Sequence, residues 1–540
     1  MPTRPRTLPR PAEFALLGLL ALILGYVLWT GLRCPMKDDL AWLVYVARQW
    51  LSGERLYTDL VEVNPPLIIW ITAVPTRLAE WLGIDPKFAV LPLVCLAILG
   101  LSWWTAALLR PLGGVLRHRA GSFAALAAVL LAVPGIELGQ REHLMLAALL
   151  PYVAVFARAL ERRPVPWGMA LLAGLVGGAG VALKPQYAVV LGLLELLGLW
   201  RGLRPWRVAP LAAGSAIAGY VAALVLVYPA FLKAAVPLAV ALYGGTDSGL
   251  SDLLHDCLGI FCGQAVLLAA WLLTRRHHRA DGLLQALALL SAGFVGVCLF
   301  DGKNWFYHRL PAIIAIVLAL LYWAAGFLTA PRPAGRAARR RPDPAALAPA
   351  LAAAALFVFG IATVQRLAAR AAEAADPGRG TQARLEMLIR REHAHSYVAF
   401  SEWIGLGFPV VTDTGVRWTS RFDSMWAVRG ELWRRARDGR APADWPIRRW
   451  VVRDFLRGCP DLVLVDARTG LDYPAVLGAA DPAFLRAWRH YRPIAAFDGL
   501  RVYRRGTPAQ FAPRAICGPA SPEPRLMTAA PEAAPPRPRS

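Results

Sequence analysis

Long apolar segments, gathered into blocks rather than scattered, are the feature of this 540-residue sequence that most restricts its fold. A helix that crosses a bilayer needs about 20 mostly apolar residues. Hydrophobic types make up 57% of the chain and charged types 18%, which excludes a soluble protein and general disorder. We therefore predict a polytopic α-helical membrane protein with about eleven transmembrane helices. The candidate spans are residues 14–31, 88–109, 121–136, 143–157, 167–183, 187–200, 208–228, 257–273, 282–300, 311–330 and 344–365.

The formal net charge of +23 does not indicate a nucleic-acid-binding protein. Of the 59 basic residues only five are lysines, a bias more typical of codon usage than of a binding surface. The sequence has no zinc-finger spacing, RNP motif or basic helix with interleaved aromatic residues. The expected partners are therefore membrane lipids and not nucleic acid.

The distribution of basic residues among the short loops predicts the orientation in the membrane. With the N-terminus in the cytoplasm, the inner loops hold 20 Lys+Arg and 4 Asp+Glu. The outer loops hold 11 Lys+Arg and 13 Asp+Glu, although they are longer in total. An odd number of spans then places the stretch after residue 365 outside.

The stretch 366–505 differs in character and is predicted to be an extracytoplasmic α/β domain. Residues 410–413 and 461–466 are typical of short buried strands that end in carboxylates. Residues 481–490 are predicted to be helical, and 495–503 to form a hairpin that turns at Asp498-Gly499. Residues 506–540 are rich in Pro and Ala and are predicted to be a disordered tail.

The first outer loop, residues 32–87, is the most informative segment of the predicted membrane domain 1–365. Asp38 and Asp39 directly follow the first span and precede a short amphipathic helix over 40–51. A second apolar helix, over 65–82, is predicted to lie in the interface, because a full crossing would reverse the charge asymmetry of the loops that follow. Two carboxylates at this boundary suit a general base for a lipid-linked substrate. Capping of the short helix is the alternative role for the same pair.

The same loop resembles the first outer loop of the GT-C membrane glycosyltransferases. The resemblance rests on Asp38-Asp39, on Ser-Gly-x-x-x-Tyr ending at Tyr57, and on Asn64-Pro65-Pro66-Leu67. It is closest to the branch of protein O-mannosyltransferases and lipid A aminoarabinose transferases, which carry an acidic pair before a Pro-Pro-Leu segment. Here the second acidic residue is Asp39 rather than Glu, and Asn64 stands where some members carry Lys.

This resemblance implies an inverting transfer of a sugar from a polyprenyl phosphate on the outer face of the membrane. Asp38, or else Asp39, is expected to take the proton of the acceptor hydroxyl, with Tyr57 and Asn64 in support. Glu142 matches a commonly acidic position of the second outer loop, and Arg141 beside it is suited to neutralise a phosphate. A solvated turn with an ion pair is the alternative for Arg141 and Glu142.

Four further residues at the outer ends of spans are expected to bind the donor phosphate. Lys184 precedes Pro185, a pairing that also resembles the family. Lys303, His308 and Arg309 alternate with aromatic residues, which is typical of a cationic mouth for a lipid phosphate but also of interfacial anchors. The resemblance calls for no metal and no other cofactor.

These expectations combine into one functional hypothesis with two alternatives. The hypothesis is a glycosyltransferase of the bacterial cytoplasmic membrane that moves a sugar from a polyprenyl-phosphate donor to a glycan, lipid or protein acceptor. One alternative is a glycan polymerase or ligase that uses a diphosphate carrier. The other is a transporter or flippase of lipid-linked sugars, or a scaffold. A Cys459–Cys517 disulfide and free thiols both remain open in the predicted outer domain.

Overall fold

The computed structural model describes residues 10–274, 281–329, 347–439 and 445–506. The chain divides into two compact units, each assembled from three stretches of sequence. The predicted tail 506–540, apart from its first residue, lies outside the described residues, as does the basic segment 331–343. The first compact unit, here called the helical unit, comprises Met1–Cys34, Val90–Ala222 and Ser248–Ala375. The second, here called the loop–sheet unit, comprises Pro35–Ala89, Ala223–Asp247 and Asp376–Ser540.

Helices dominate the chain up to residue 375. They are α1 (Arg10–Arg33), α2 (Asp38–Leu51), α3 (Pro66–Leu82), α4 (Lys87–Leu109), α5 (Arg119–Ala132), α6 (Arg141–Leu160), α7 (Trp167–Ala182), α8 (Ala188–Trp200), α9 (Val208–Val227), α10 (Val236–Leu242), α11 (Leu250–Thr274), α12 (Gly282–Asp301), α13 (Phe306–Thr329) and α14 (Leu347–Ala375).

Among the described residues, eight helices are long and apolar enough to cross a membrane: α1, α4, α6, α9, α11, α12, α13 and α14. The prediction of a helical membrane protein is confirmed at this level. The predicted spans 121–136, 167–183 and 187–200 form α5, α7 and α8, which are apolar but shorter, so the count of eleven stays a prediction. The last helix, α14, continues to Ala375, beyond the predicted end at residue 365.

In the helical unit, α6 is the central helix. Its apolar window is 83% buried inside the protein, whereas that of α14 is 11% buried. Helices α7, α12 and α13 pack around α6. The difference in burial identifies α6 as a core helix and α14 as a helix whose apolar surface faces outward, as expected of a helix in contact with lipid.

Small residues bring α7 and α9 into close contact. Gly174 lies against Ala209, and Gly178, one turn later, lies against Ala213. In lipid there is no hydrophobic driving force between helices, so close backbone approach through such small residues supplies the van der Waals contact. The spacing of four residues on both helices places the two contacts on one face.

Several polar contacts of the helical unit lie near the ends of its helices. At one end, Glu13 Oε1 of α1 is 2.7 Å from His118 Nδ1, next to the start of α5. At that end too, Glu161 Oε1, just after α6, accepts from the Gly282 N–H that begins α12, at 2.6 Å. The ion pairs of Glu142 and Asp256, described below, lie at the opposite ends of α6 and α11. Glu195, within predicted span 187–200, accepts from Tyr152 and pairs with Arg207, so its charge is compensated.

In the loop–sheet unit, the two helices predicted within the first loop are present. The short helix predicted over 40–51 is α2, and the apolar helix predicted over 65–82 is α3, which begins at Pro66. They pack against each other, and an ion pair of 3.4 Å joins Arg48 Nε of α2 to Glu80 Oε1 of α3.

The C-terminal part of the loop–sheet unit contains a five-stranded mixed sheet in the order β2-β1-β3-β5-β4. Its strands are β1 (Ser396–Phe400), β2 (Arg417–Trp418), β3 (Leu462–Asp466), β4 (Tyr491–Phe497) and β5 (Leu500–Arg505). Strand β1 runs parallel to both β2 and β3, and β5 runs antiparallel to β3 and β4. The helices of this part are α15 (Thr381–Arg391), α16 (Val410–Thr414), α17 (Trp426–Asp438), α18 (Ile447–Gly458), α19 (Tyr473–Ala480) and α20 (Pro482–Trp488).

Three of the four elements predicted here are confirmed. The strand predicted over 461–466 is β3, and the helix predicted over 481–490 is α20, whose first turn is capped by Asp481. The hairpin β4–β5 turns at Asp498-Gly499, both with positive φ, as the turn chemistry requires.

The strand predicted over 410–413 is wrong, because Val410–Thr414 is the short helix α16. The hydroxyl of Thr412 donates to the Pro409 carbonyl and that of Thr414 to the Val410 carbonyl, both at 2.6 Å. These local bonds stabilise a helical turn, which ends at Gly415 with φ of 70°. The sequence suggested a strand because Val410 and Val411 are apolar, but a helix buries these two side chains equally well.

One cysteine of the predicted outer domain, Cys459, is disulfide-bonded. The other cysteines of the described residues are thiols rather than disulfides: Cys34, Cys95, Cys257, Cys262 and Cys298. Cys517 lies outside the described residues.

We predict that Gly178→Ala destabilises the helical unit. A Cβ at this position would lie 2.5 Å from the Ala213 carbonyl oxygen, so α7 and α9 must separate. Overpacking of this kind costs about 1–3 kcal/mol, and the melting temperature of the purified protein in detergent is expected to fall. Gly168→Ala, in the first turn of the same helix, is the control because its Cβ meets nothing within 4 Å. Equal melting temperatures for both variants would contradict the tight α7–α9 contact.

Candidate functional site

The predicted acid pair stands at the first turn of α2 in the loop–sheet unit. Asp38 is buried, and its Oδ1 accepts from the Asp39 backbone N–H at 2.8 Å. Lys37 Nζ lies 3.1 Å from the same oxygen. A carboxylate in the first turn is stabilised by the helix dipole. The N-cap residue of α2 is Lys37, without a side-chain cap hydrogen bond, so the pair lies inside the first turn rather than at the cap. The contacts with Lys37 and the Asp39 N–H hold one oxygen of Asp38 in place.

The other oxygen of Asp38 contacts the C-terminal part of the same unit. The indole Nε1 of Trp403 donates to Asp38 Oδ2 at 3.1 Å. Trp403 is 43% exposed, and the guanidinium of Arg468 lies 5.6 Å from its ring centroid. The result is a fixed carboxylate beside a partly exposed indole that packs against Gly405, and the exposed part of this ring can contact a sugar. Sequence alone did not distinguish Trp403 from the other tryptophans of its domain, because its partner lies 365 residues away.

Glu62 is a buried carboxylate of the first loop that the sequence analysis did not single out. It is 1% exposed, and it accepts at 2.6 Å from Trp42 Nε1 and from both the backbone N–H and the Nδ2 of Asn64. The Tyr57 hydroxyl donates to the Asn64 carbonyl, also at 2.6 Å. The supporting residues Tyr57 and Asn64 thus belong to one hydrogen-bonded loop organised around Glu62. The position of Glu62 between two valines, Val61 and Val63, is the one sequence feature that could have indicated a buried carboxylate.

Asp423, from the loop before α17, is a further carboxyl near the acid pair. The Val61 N–H donates to the Arg421 carbonyl at 3.2 Å, which ties the first loop to this segment. Asp423 Oδ1 accepts from the Ser424 N–H at 2.6 Å and from Trp426 Nε1 at 2.9 Å. Burial, together with the nearby carboxylates of Glu62 and Asp39, raises the pKa of Asp423 to about 8.

In the helical unit, a second group of predicted residues gathers around Glu142, here called the Glu142 cluster. Glu142 lies in the first turn of α6 and is fully buried. Lys184 Nζ is 2.9 Å from its Oε1, and His308 Nε2 is 3.8 Å from the same oxygen. Arg141, next to Glu142, is also buried. The solvated turn considered for Arg141 and Glu142 is therefore wrong, because both side chains are enclosed.

Asp301, at the end of α12, completes the cluster and was not predicted. Its Oδ2 is 3.6 Å from His308 Nδ1 and accepts from Gln186 Nε2 at 3.1 Å. Lys303, two residues later, is buried with its Nζ 5.8 Å from the Trp305 ring centroid. Because α6 and α13 begin here while α12 ends here, the three helices run in alternating directions through this end of the unit.

The predicted phosphate ligand Arg309 is engaged elsewhere. Its Nη1 lies 3.2 Å from Asp256 Oδ2 of α11 and donates to the Asp256 carbonyl at 2.9 Å. The structure therefore brings Lys184 and His308 together on Glu142, whereas Arg309 is held by a different acid. The side chain of Arg309 would have to exchange its partner to reach a ligand bound by Lys184.

The Glu142 cluster combines cations and carboxylates. Arg141, Lys184 and Lys303 are cations, Glu142 and Asp301 are carboxylates, and the buried carboxylate of Glu137 lies four residues before Arg141. Oε2 of Glu142 is buried and has no hydrogen-bond partner in the part of the chain that the structure describes. This oxygen can thus accept a hydrogen bond from a ligand hydroxyl.

Within the described ranges, no group of three or more His, Cys, Asp or Glu side chains has the arrangement of a metal site. A scan against models of protein families and a search of the curated proteins find no match to this chain. The acid pair Asp38-Asp39 with its neighbours, and the Glu142 cluster, are therefore the features from which a function can be inferred.

We predict that Lys184→Met strongly destabilises the helical unit. The substitution leaves the Glu142 carboxylate buried without its partner, which costs about 3–5 kcal/mol for a pair of this kind. The double variant Glu142→Gln/Lys184→Met removes both charges and is expected to regain most of the melting temperature in detergent. A double variant as unstable as the single one would show that the two side chains do not act as a pair.

Proposed function

We propose that this protein is an integral membrane glycosyltransferase. It would move a sugar from a polyprenyl-phosphate donor to a hydroxyl of a lipid, protein or polysaccharide, with inversion at the anomeric carbon. The observation that carries this proposal is the fixed carboxylate of Asp38, held between Lys37, the Asp39 N–H and the exposed indole of Trp403. A general base for an acceptor hydroxyl needs a carboxylate that is held in a fixed direction, and Asp38 meets this requirement.

In the proposed reaction the acceptor oxygen attacks the anomeric carbon opposite to the phosphate. The bond between that carbon and the phosphate oxygen breaks, and the phosphate leaves with the electron pair. Asp38, with Asp39 as the second candidate, takes the proton from the acceptor hydroxyl as the new glycosidic bond forms. A phosphate leaves readily without protonation, so one base suffices for this scheme.

The Glu142 cluster is assigned to the donor phosphate. Arg141, Lys184, Lys303 and His308 would supply the hydrogen-bond donors for this phosphate, and Lys184 and His308 both lie against Glu142. The second acidic position, Glu142, would hold Lys184 in place and accept a hydroxyl of the donor. Arg309 contributes in this scheme only if it leaves Asp256.

The protein would lie in the bacterial cytoplasmic membrane, with a GT-C-like fold of about eleven transmembrane helices. The loop charges support a cytoplasmic N-terminus. The disulfide at Cys459 supports an extracytoplasmic location for the C-terminal domain, since such bonds persist in oxidising compartments. Helices α5, α7 and α8 would then complete the crossings despite their short length.

A transporter or flippase of lipid-linked sugars is the second candidate function. The observation in its favour is the buried, ion-paired Glu142 at the end of a span, since intramembrane ionisable groups often mark transport pathways. Under this hypothesis the acid pair of the first loop has no chemical role. The complementation experiment described next separates the transferase from the transporter.

We predict that a strain lacking the gene loses one sugar-sized mass increment from its envelope glycans or glycolipids. Wild type should restore the increment, and Asp38→Asn/Asp39→Asn should not, because loss of a general base lowers turnover by about 10²–10⁴-fold. Mass spectrometry of envelope extracts, at equal membrane levels of each protein, provides the measurement.

Asp59→Asn is the matched control for this experiment. Asp59 is a third aspartate of the same loop, paired with Arg55 and partly exposed, and should be dispensable. Restoration by the double variant would exclude the first-loop base and favour the transporter. Loss of transfer on chelation of divalent cations would favour the diphosphate-carrier alternative instead.

A further inference from the structure

Arginine side chains gather at one end of the helical unit, where the loop between α6 and α7 meets the loop between α8 and α9. The guanidinium of Arg162, just after α6, donates through Nη2 to the carbonyls of Arg201 at 3.2 Å and Gly202 at 3.4 Å, just after α8. Arg163 and Arg204, which follow in the two loops, are exposed. The contact made by Arg162 thus joins the basic residues of both loops into one surface, here called the arginine surface.

The arginines of this surface are not paired with acids. Arg158, in the last turn of α6, is buried and donates to the carbonyls of Leu108 and Pro164. Arg201 Nη1 donates to the neutral amide oxygen of Gln285 at 2.5 Å. Within the described part of the chain, five arginines of the arginine surface form no ion pair: Arg158, Arg162, Arg163, Arg201 and Arg204. Because like charges in one place repel each other, a bound anion would stabilise this surface.

The carboxylates at the same end are fewer and have other contacts. Glu161 and Asp281 both accept from backbone N–H groups at the start of α12. Glu195 pairs with Arg207, the sixth arginine of these loops and helix ends. Six arginines against three acids leave this end of α6, α8 and α12 positively charged.

Exposed tryptophans flank the arginines. Trp200 ends α8 directly before Arg201 and is 81% exposed, and Trp206, two residues after Arg204, is 80% exposed. Trp167, at the start of α7, is 67% exposed. Trp is enriched at membrane interfaces, where its apolar ring meets the polar headgroups. Cations beside such indoles match the headgroup region of a lipid better than they match a site for a soluble anion.

We propose that the arginine surface binds the headgroup of cardiolipin, an anionic phospholipid with two phosphodiester groups. Arg162 is held by its bonds to two carbonyls, and its Nε and Nη1 have no other partner among the described residues, so both can donate to a phosphate. Arg163 and Arg204 supply further donors, and guanidinium groups suit phosphate oxygens geometrically. Basic pockets between helices on the cytoplasmic side are suited to this lipid, and the loop charges predict that this end is cytoplasmic. The inference is independent of the transferase proposal.

The test measures the melting temperature of the purified full-length protein in detergent while cardiolipin is added. Cardiolipin is expected to raise the melting temperature, because a ligand of the folded state stabilises it. Phosphatidylcholine, which has no net charge, is expected to have no such effect. Arg163→Gln/Arg204→Gln should shift the cardiolipin concentration of half-maximal effect upward by about 30-fold. The fold is expected to tolerate this variant, because both side chains are exposed and make no hydrogen bond or ion pair in the described ranges.

Arg110→Gln/Arg117→Gln is the matched control. It removes two exposed arginines from the loop between α4 and α5, at the same end of the helical unit, and should keep the full response to cardiolipin. Native mass spectrometry of the three proteins provides a second measurement. Bound cardiolipin is expected on the wild type and on the control, and not on Arg163→Gln/Arg204→Gln.

Four results would overturn the inference. A wild-type protein that cardiolipin does not stabilise has no such site, and equal responses of wild type and Arg163→Gln/Arg204→Gln exclude these arginines from it. An equal loss in the control variant would mean that the lipid responds only to total charge. Equal stabilisation by phosphatidylcholine, or by inorganic phosphate at the same ionic strength, would exclude an anionic lipid as the specific ligand. None of these results bears on sugar transfer.

Discussion

The placement of charge in a mostly apolar chain is the constraint on which the rest of the structure depends. Helices satisfy the backbone within a bilayer, but they leave every charged side chain to find a partner or an aqueous end. In the helical unit this requirement is met by pairs at the helix ends, such as Lys184 with Glu142 and Arg309 with Asp256. Glu195, deeper along α8, is compensated by Tyr152 and Arg207. The same pairs fix which helix ends meet.

The elements that sequence predicted well are those whose signal is local. Apolar length located the eight long helices α1, α4, α6, α9, α11, α12, α13 and α14, and the Asp498-Gly499 turn located the hairpin, because each depends on residues adjacent in the chain. The short helix α10 was not predicted. The strand predicted at 410–413 was wrong because valine and threonine side chains can also be buried in a short helix, where the hydroxyls bond to nearby carbonyls. The true strand, β1, begins at Ser396, without an alternating pattern to reveal it.

The site residues show the same limit more strongly. Asp38, Glu142, Lys184 and His308 were predicted from their position at the ends of spans. Glu62, Asp301, Trp403 and Asp423 were not. The partners of Glu62 and Asp423 lie nearby in the chain, but no pattern singled these residues out. Trp403 and Asp301 bond to residues far away in the sequence. Trp403 acquires its role only through Asp38, and Asp301 only through His308 and Gln186. A single sequence carries no signal for such pairs.

The loop–sheet unit is discontinuous in the chain, and this has a consequence for biogenesis. Its first stretch, Pro35–Ala89, emerges early in synthesis, whereas the residues that bond to it, Trp403 and Arg421, are made more than 300 residues later. Before the C-terminal part is made, Asp38 has only its local contacts with Lys37 and the Asp39 N–H. A nascent chain halted after α14 would carry every predicted span and yet lack the indole that holds the second oxygen of Asp38. The loop–sheet unit can therefore be completed only at the end of synthesis, although its first stretch is among the earliest parts of the chain.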